Sequence, residues 1–175
     1  MTSPLTKVGI VGASGYTGEE LVRVLARHPR VRLAAVCSRS LAGKAVAEEL
    51  PRLRGIVDPA LAFVASSPEE CAQSDVDVWF LALPHGVAAE YAAPLVAAGK
   101  RVLDLSADFR LRDADFYEKW YGEKHAAPEW LSKFVYGLPE LHRAEMATAN
   151  YISGVGCNAT ASNLALLPLV KAGLL

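Results

Sequence analysis

The chain has 175 residues, of which 52% are hydrophobic, and its 18 basic and 19 acidic side chains give a formal net charge of −1. This composition excludes a disordered chain and a strongly basic nucleic-acid-binding protein, and the longest apolar runs fall far short of a membrane span. Three widely spaced cysteines and an N-terminus without a signal-peptide pattern favour a reduced, cytoplasmic protein with neither a disulfide framework nor a metal cluster.

Short apolar runs alternate with helix-like segments through most of the chain. Strands are predicted at residues 7–12, 31–37, 77–83 and 101–105. One helix is predicted after Gly18, ending before Pro29, and another follows the third strand as far as Ala98. This alternation predicts an α/β fold in which right-handed crossovers build a doubly wound parallel sheet, the Rossmann-like architecture of dinucleotide-binding domains.

The pattern changes at residues 113–142, where an aromatic-rich, partly helical excursion is predicted. A strand-like segment at residues 150–156 then leads into a helix at residues 157–172, which Pro168 is expected to kink or to end. We therefore predict a dinucleotide-binding domain at residues 1–150, and we expect residues 151–175 to be only the start of a second domain.

The first predicted strand is followed by a glycine-rich turn that runs Gly12-Ala13-Ser14-Gly15-Tyr16-Thr17-Gly18. Between a strand and a helix, one glycine makes the tight turn, one lets the backbone approach a pyrophosphate, and one allows close packing of helix on strand. The spacing is G-x-x-G-x-x-G instead of the commoner G-x-G-x-x-G, so a turn without a ligand is the alternative. The flanking strand and helix favour dinucleotide binding.

The end of the second predicted strand indicates which dinucleotide is bound. It reads Cys37-Ser38-Arg39-Ser40 and carries no carboxylate. Domains that bind NAD place an acidic residue near this point to hold the ribose 2′-hydroxyl, whereas a guanidinium flanked by hydroxyls suits a 2′-phosphate. We expect NADP(H), and the alternative is that Arg39 is a solvated surface residue.

Cys157 is the candidate nucleophile. It lies in the run Gly154-Val155-Gly156-Cys157-Asn158, where small residues precede it and a predicted helix follows. A helix N-terminus favours the thiolate and supplies N–H donors for an anionic intermediate. A lone cysteine is more often a small buried hydrophobic residue, and Cys37 and Cys71, which lack a glycine frame, are expected to be of that kind.

Six segments in one order along the chain resemble a known family. They are residues 12–18 (GASGYTG), 38–40 (SRS), 82–86 (ALPHG), 104–110 (DLSADFR), 136–141 (YGLPEL) and 156–157 (GC). Together they resemble the N-acetyl-γ-glutamyl-phosphate reductases and their relatives that reduce aminoadipyl phosphate held by an amino-group carrier protein. Both groups belong with the aspartate-semialdehyde dehydrogenases, and the resemblance implies that residue 151 begins a catalytic α+β domain.

The resemblance implies a mechanism and a role for each motif. The Cys157 thiolate attacks an acyl phosphate and forms a thioester, which NADPH reduces to the semialdehyde in arginine or lysine biosynthesis. The glycine turn and residues 38–40 would hold the cofactor phosphates. The other implied contacts are Leu83, Pro84 and His85 on the cofactor side, and Ser106, Arg110 and Asn158 for the substrate or its phosphate.

Two departures from the family pattern limit what the resemblance implies. The acid–base histidine of the family belongs to a segment beyond Leu175, and His85 is interpreted as a cofactor-side residue instead. His28, His125 and His142 are expected to be surface or packing residues. A truncated, non-catalytic nucleotide-binding module is therefore the alternative function, and the full-length protein is expected to form a homo-oligomer.

The second departure concerns the substrate. The run around the nucleophile, SGVGCNATA, looks more like the carrier-protein branch than the acetylglutamyl branch. An acidic carrier would find a basic rim at Arg39, Lys44, Arg52 and Arg54, for which an ordinary solvated face is the alternative. The partner is thus expected to be a small acyl phosphate or the same group on an acidic carrier protein, with no nucleic acid, membrane or metal involved.

Overall fold

The computed structural model of the protein describes residues 4–175, so the first three residues of the predicted domain lie outside the described part. Six parallel strands form one sheet in the order β2-β1-β3-β4-β6-β5. The strands are β1 Thr6–Val11, β2 Val31–Cys37, β3 Val78–Leu81, β4 Arg101–Asp104, β5 Val135–Tyr136 and β6 Tyr151–Ser153. The predicted doubly wound α/β fold is confirmed.

Helices cover both faces of this sheet. They are α1 Tyr16–Leu25, α2 Val46–Glu49, α3 Pro68–Gln73, α4 Ala88–Ala97, α5 Ala114–Tyr121, α6 Pro139–Thr148 and α7 Cys157–Lys171. Two 3₁₀ helices lie at Pro51–Leu53 and Pro128–Lys133. None of the helices in the described part of the chain combines the length and apolarity that crossing a bilayer demands.

Two apolar clusters, one on each face, make up the core. Neighbouring strand residues alternate between them, because successive side chains of a strand point to opposite faces. Ile10 packs with Val22 of α1 on one face, while Val11 packs with Trp79 and with Leu95 of α4 on the other. Strands buried on both faces explain the nearly continuous apolar runs from which they were predicted.

Some predicted boundaries differ from the observed ones. β3 ends at Leu81, so the last residues of the predicted strand already belong to a loop. β6 is hydrogen-bonded between β4 and β5, and the sheet therefore extends to Ser153, past the predicted domain boundary at residue 150.

Of the two alternatives expected for Pro168, that it ends the regular part of α7 is wrong. The helix continues through Pro168 to Lys171 instead of ending its regular part there. A proline without an N–H removes one backbone hydrogen bond, but in the last turn the remaining bonds hold. The N–H of Ala172 still donates to the carbonyls of Pro168 and Val170.

Candidate active site

The glycine-rich turn connects β1 to α1 and is tied to the end of β2. The N–H groups of Gly12 and Ala13 donate to the Cys37 carbonyl over 3.1 and 3.0 Å. Gly12 has φ +84°, and a side chain there would overlap the Ala82 carbonyl oxygen. A side chain at Gly18 would overlap the Gly12 carbonyl oxygen, so these two glycines are required by the fold itself.

Gly15 differs from the other two glycines because the space beside it is open. A Cβ placed there would meet only the Gly12 carbonyl oxygen, at 3.6 Å. Gly15 is the N-cap of α1, and no side chain caps that helix end. Tyr16 and Thr17 follow at the exposed start of the helix. The N-terminus of α1 therefore presents free backbone donors of the kind that bind phosphate.

A cavity of ≈ 270 Å³ opens beside this turn. Three separated segments of the chain contribute the predicted cofactor residues to its wall, namely Gly12, Ser14, Ser38, Arg39, Ser40 and Leu83. Ala13 and Gly18 are buried beneath the turn, and Pro84 and His85 are exposed on the loop that continues from Leu83. The structure thus brings six of the thirteen predicted cofactor residues to the wall of one cleft.

Hydroxyl groups line the part of the cleft nearest Arg39. The Ser38 Oγ lies 2.8 Å from the Ser14 Oγ and 3.4 Å from the Ser40 Oγ. Arg39 is exposed and, within residues 4–175, makes no ion pair. One guanidinium and several hydroxyls without a carboxylate suit a phosphate monoester.

The sequence analysis missed five other residues of this cleft, namely Val11, Cys37, Ser66, Val87 and Tyr91. The Tyr91 hydroxyl donates to the Ser66 carbonyl over 3.2 Å and closes one side. Burial raises the pKa of the Tyr91 phenol, so it stays protonated and acts as a donor. Neither Ser66 nor Tyr91 lies in a motif. Ser66 precedes α3 and Tyr91 lies on α4, and only the fold brings them to the cleft.

The turn after β4 is held by buried carboxylates. The Ser106 N–H and hydroxyl donate to the two Asp104 carboxylate oxygens, both over 2.9 Å, and the Ser106 Oγ accepts from the Asp108 N–H over 3.0 Å. Burial raises the pKa of Asp104 to about 6 against the opposing hydrogen bonds from Ser106. Ser106 is only 6% exposed, so its hydroxyl shapes the turn instead of facing an open cleft.

Cys157 is the first residue of α7 and is exposed. Gly156 is the N-cap, without a side-chain cap, and the Asn158 Oδ1 lies 3.9 Å from the Cys157 Sγ. Arg110 lies beside this segment: its Nε donates to the Gly154 carbonyl over 2.8 Å. A Cβ on Gly156 would approach an Arg110 guanidinium nitrogen to 3.1 Å. The structure therefore places a thiol, free helix N–H groups and a guanidinium next to one another.

The remaining cysteines and histidines occupy structural positions. Cys37 and Cys71 are both buried in the core. His125 packs edge-on against Phe109 and Tyr117, its Nδ1 accepts from the Ala127 N–H over 3.0 Å, and burial lowers its pKa. His28 and His142 bond to nearby chain groups near the surface, namely the Arg30 N–H and the Glu145 carboxylate.

The four residues of the expected basic rim have different surroundings. Lys44 pairs with Glu49 over 3.1 Å, and the Arg54 Nε donates to the Ala47 carbonyl over 3.1 Å. Arg39 faces the cofactor cleft, while Arg52 is exposed. Within residues 4–175, Lys44 is therefore the one member of the expected rim that is ion-paired, and the binding of an acidic partner there stays a prediction.

Known proteins resemble this chain over most of its length. Residues 7–149 match the family described as "Semialdehyde dehydrogenase, NAD binding domain". The chain is 54% identical over 170 residues to the N-acetyl-γ-glutamyl-phosphate reductase of Ectopseudomonas mendocina and 52% identical to that of Azotobacter vinelandii. Each match covers 97% of this chain and 48% of the relative, so the chain spans about half the length of these curated relatives.

Solved structures of low sequence identity share the fold. An aspartate semialdehyde dehydrogenase from Candida albicans, solved with NADP, superimposes with a TM-score of 0.63 at 20% identity. It matches over 96% of this chain and 47% of its own. Aspartate semialdehyde dehydrogenase II from Vibrio cholerae gives a TM-score of 0.64 at 22% identity over 96% of this chain and 47% of its own.

Proposed function

The chain belongs to the semialdehyde dehydrogenase family through its NAD-binding domain, and from that premise we propose that it binds NADPH and supplies the nucleophile of an acyl-phosphate reductase. The substrate we propose is N-acetyl-γ-glutamyl phosphate, the compound in the names of the relatives that are 52–54% identical. The observation that carries the proposal is the exposed Cys157 at an uncapped helix N-terminus, with Arg110 fixed beside it.

The cleft at the glycine turn fits a phosphorylated dinucleotide. The uncapped N-terminus of α1 and the open space at Gly15 accommodate the pyrophosphate, and Arg39 with Ser38 and Ser40 would hold a 2′-phosphate. Leu83 provides an apolar wall on the same cleft. Bound NADPH would supply the hydride that reduces the acyl group to the aldehyde.

The residues around α7 account for the covalent step. The Cys157 thiolate attacks the acyl carbon, the carbon–oxygen bond to phosphate breaks, and inorganic phosphate leaves with that electron pair. Arg110 binds the phosphate as it departs, because a guanidinium recognises oxyanions with paired donors. Backbone N–H groups in the first turn of α7 stabilise the oxyanion, with Asn158 at the rim.

The proposal is tested in the reverse direction with the complete product of the gene that carries this sequence. N-acetylglutamate semialdehyde, phosphate and NADP⁺ are expected to give NADPH at a rate that depends on all three. The Cys157→Ser variant is expected to lose at least about 10³-fold in kcat, since a hydroxyl is a far weaker nucleophile here. Undiminished turnover in that variant would overturn the mechanism.

Carrier-bound aminoadipyl phosphate is the alternative substrate, supported by the GCNATA run around Cys157. Assaying the gene product with the free acetylglutamyl compound and with a carrier-linked aminoadipyl semialdehyde compares the two directly. A higher kcat/KM for the free compound supports the acetylglutamyl substrate. The reverse preference supports the carrier branch and overturns the substrate assignment.

A further inference from the structure

Asp108 is a buried carboxylate that the proposed mechanism does not use. Its side chain is 0% exposed, yet within residues 4–175 it has no lysine or arginine partner. Instead, its Oδ1 accepts from the Gly86 N–H over 2.8 Å and lies 2.8 Å from the His85 Nδ1, and its Oδ2 accepts from the Ala89 N–H over 2.9 Å. A desolvated carboxylate is tolerated only when donors surround it, so these contacts fix whatever carries the donors.

The donors all belong to one loop and the helix that follows it. This loop connects β3 to α4, and Leu83 and Val87 on it line the cofactor cleft. Gly86 has φ +81°, and the N-cap Val87 offers no side-chain cap to α4. Asp108 therefore caps α4 from a distant turn, where its charge also favours the helix N-terminus.

The same turn reaches the nucleophile on its other side. The Asp108 N–H is held by Ser106, and two residues later the Arg110 Nε donates to the Gly154 carbonyl. Arg110 also lies against Gly156, directly before Cys157. One short turn thus contacts the cofactor loop through Asp108 and the thiol segment through Arg110.

His85 is the outer part of this contact. Its Nδ1 lies 2.8 Å from the Asp108 Oδ1, and its Nε2 lies 3.3 Å from the Tyr117 hydroxyl oxygen. Burial and the nearby Asp108 charge raise the pKa of Tyr117 to about 12, so the phenol remains a donor. The Glu123 carboxylate lies 3.5 Å from the same Nε2. The ring also packs on Tyr121, with centroids 4.3 Å apart.

We propose that Asp108 is a positioning residue that holds the cofactor loop and the Arg110–Cys157 segment in one arrangement, although it touches neither cofactor nor substrate. This inference rests on the proposed function, because it assigns Asp108 a role in assembling that site. Asp108 differs in this role from His85 and Arg110. His85 acts only on the cofactor side, and Arg110 acts only on the thiol side.

The test measures NADPH affinity by calorimetry and the rate at which iodoacetamide alkylates Cys157, both on the 175-residue chain. Asp108→Ala is expected to raise the Kd for NADPH about tenfold, as unpaired buried donors replace charge-assisted bonds. It also slows alkylation on the order of threefold, because Arg110 is no longer held against Gly156, the residue before Cys157. Asp108→Asn keeps an acceptor and is expected to be intermediate in both.

Two further variants, each of which changes one side of the contact, and a matched control complete the experiment. His85→Ala is expected to raise the Kd without changing the alkylation rate, and Arg110→Ala to slow alkylation without changing the Kd. The control is Asp113→Ala, because Asp113 also caps a helix, accepting from the Phe116 N–H over 2.8 Å, but lies on the exposed start of α5. It is expected to leave both measurements unchanged.

The outcomes separate this inference from the function beneath it. If the wild-type chain binds NADPH, and Asp108→Asn has the same Kd for NADPH and the same alkylation rate as the wild type, the inference alone is overturned. This holds even if Asp108→Ala fails to fold. Equal effects from Asp113→Ala would also overturn it, because they would reflect general destabilisation. A wild-type chain that did not bind NADPH would overturn the proposed function, and this inference with it.

Discussion

At the scale of single residues, three identical thiols lie in different environments. Cys157 is exposed at the start of α7, whereas Cys37 and Cys71 are only 3% and 1% exposed in the core. Reaction with a small electrophile requires access as well as the thiolate form. The glycines around Cys157 indicated this difference in the sequence, because they keep the neighbouring backbone free of side chains.

Selective alkylation of the native chain follows from these environments. Iodoacetamide is expected to modify Cys157 while Cys37 and Cys71 remain unmodified until the chain is unfolded in urea. Peptide mass spectrometry measures the three sites separately, and Cys157→Ser serves as the control that removes native labelling. Comparable labelling of Cys71 in the folded chain would contradict the structure.

Arg39 is the residue on which the preference for NADP over NAD depends in this account. Arg39→Ala is expected to raise the Kd for NADPH about 10- to 100-fold, which corresponds to a lost charge-assisted contact of about 1.5–3 kcal/mol. The Kd for NADH should hardly change, since that ligand lacks the 2′-phosphate. Arg32→Ala is a matched control, because Arg32 is exposed near the opposite end of β2. Equal weakening of both dinucleotides would exclude the assigned role.

At the scale of elements, the turn between β1 and α1 separates glycines that the fold requires from one that a ligand requires. Gly15→Ala is expected to cost less than about 1 kcal/mol of stability, because the added methyl meets open space and extended backbone. It should still raise the Kd for NADPH about tenfold if the pyrophosphate approaches there. Calorimetry and urea unfolding give the two values.

Gly12→Ala is the comparison for that variant. Its positive φ and the overlap with the Ala82 carbonyl are expected to lower the free energy of unfolding by at least about 2 kcal/mol. A Gly15→Ala variant that bound NADPH as tightly as the wild type would contradict the proposal that the cofactor phosphates bind at this turn.

The turn after β4 makes stability depend on pH. Burial raises the pKa of Asp104 from 3.8 to about 6, so between those values the folded chain binds more protons than the unfolded chain. Stability from this group is therefore present below pH ~4 and is lost as the pH rises to ~6, a change of about 3 kcal/mol. Asp104→Asn removes the titration.

Urea unfolding between pH ~4.5 and ~7 measures this effect as the difference between the variant and the wild type. Relative to the wild type, Asp104→Asn is expected to become more stable as the pH rises, because the buried charge is absent. Taking the difference cancels the other titrating groups. A difference that does not change with pH would contradict the raised pKa.

The sequence predicted some elements well and others not at all, for physical reasons. β2 was predicted with its observed ends, because an apolar run bounded by Pro29 and a polar turn has one interpretation. β5 is two residues long, and such a short strand forms only because β6 pairs with it. α6 was not predicted either: it begins in the aromatic-rich excursion and ends at Thr148, beyond it.

At the scale of the whole molecule, the parallel sheet brings the predicted site residues to one edge. Ser14, Arg39, Leu83, Arg110 and Cys157 follow five different strands, and parallel strands bring their carboxyl ends to one edge. Their common location was thus predictable from the order of motifs.

The contact between Asp108 and His85 was not predictable in the same way. The two residues lie on loops after neighbouring strands, and their close approach depends on the exact path of both loops. Ser106 is similar, since the family resemblance implied a substrate contact, whereas its hydroxyl bonds to Asp104 within the turn itself. Polar contacts within loops leave no periodic pattern in a sequence.

The nucleophilic role of Cys157 is tested most directly by incubating the complete gene product with N-acetyl-γ-glutamyl phosphate in the absence of NADPH. The mass of the peptide that contains Cys157 is then measured. If Cys157 is the nucleophile, phosphate is released and an acetylglutamyl group becomes attached to Cys157, where peptide mapping locates it. Added NADPH then discharges this group as the semialdehyde. Cys157→Ser should show neither. Semialdehyde formation without any acylation of Cys157, or acylation at another residue that NADPH discharges, would contradict this role.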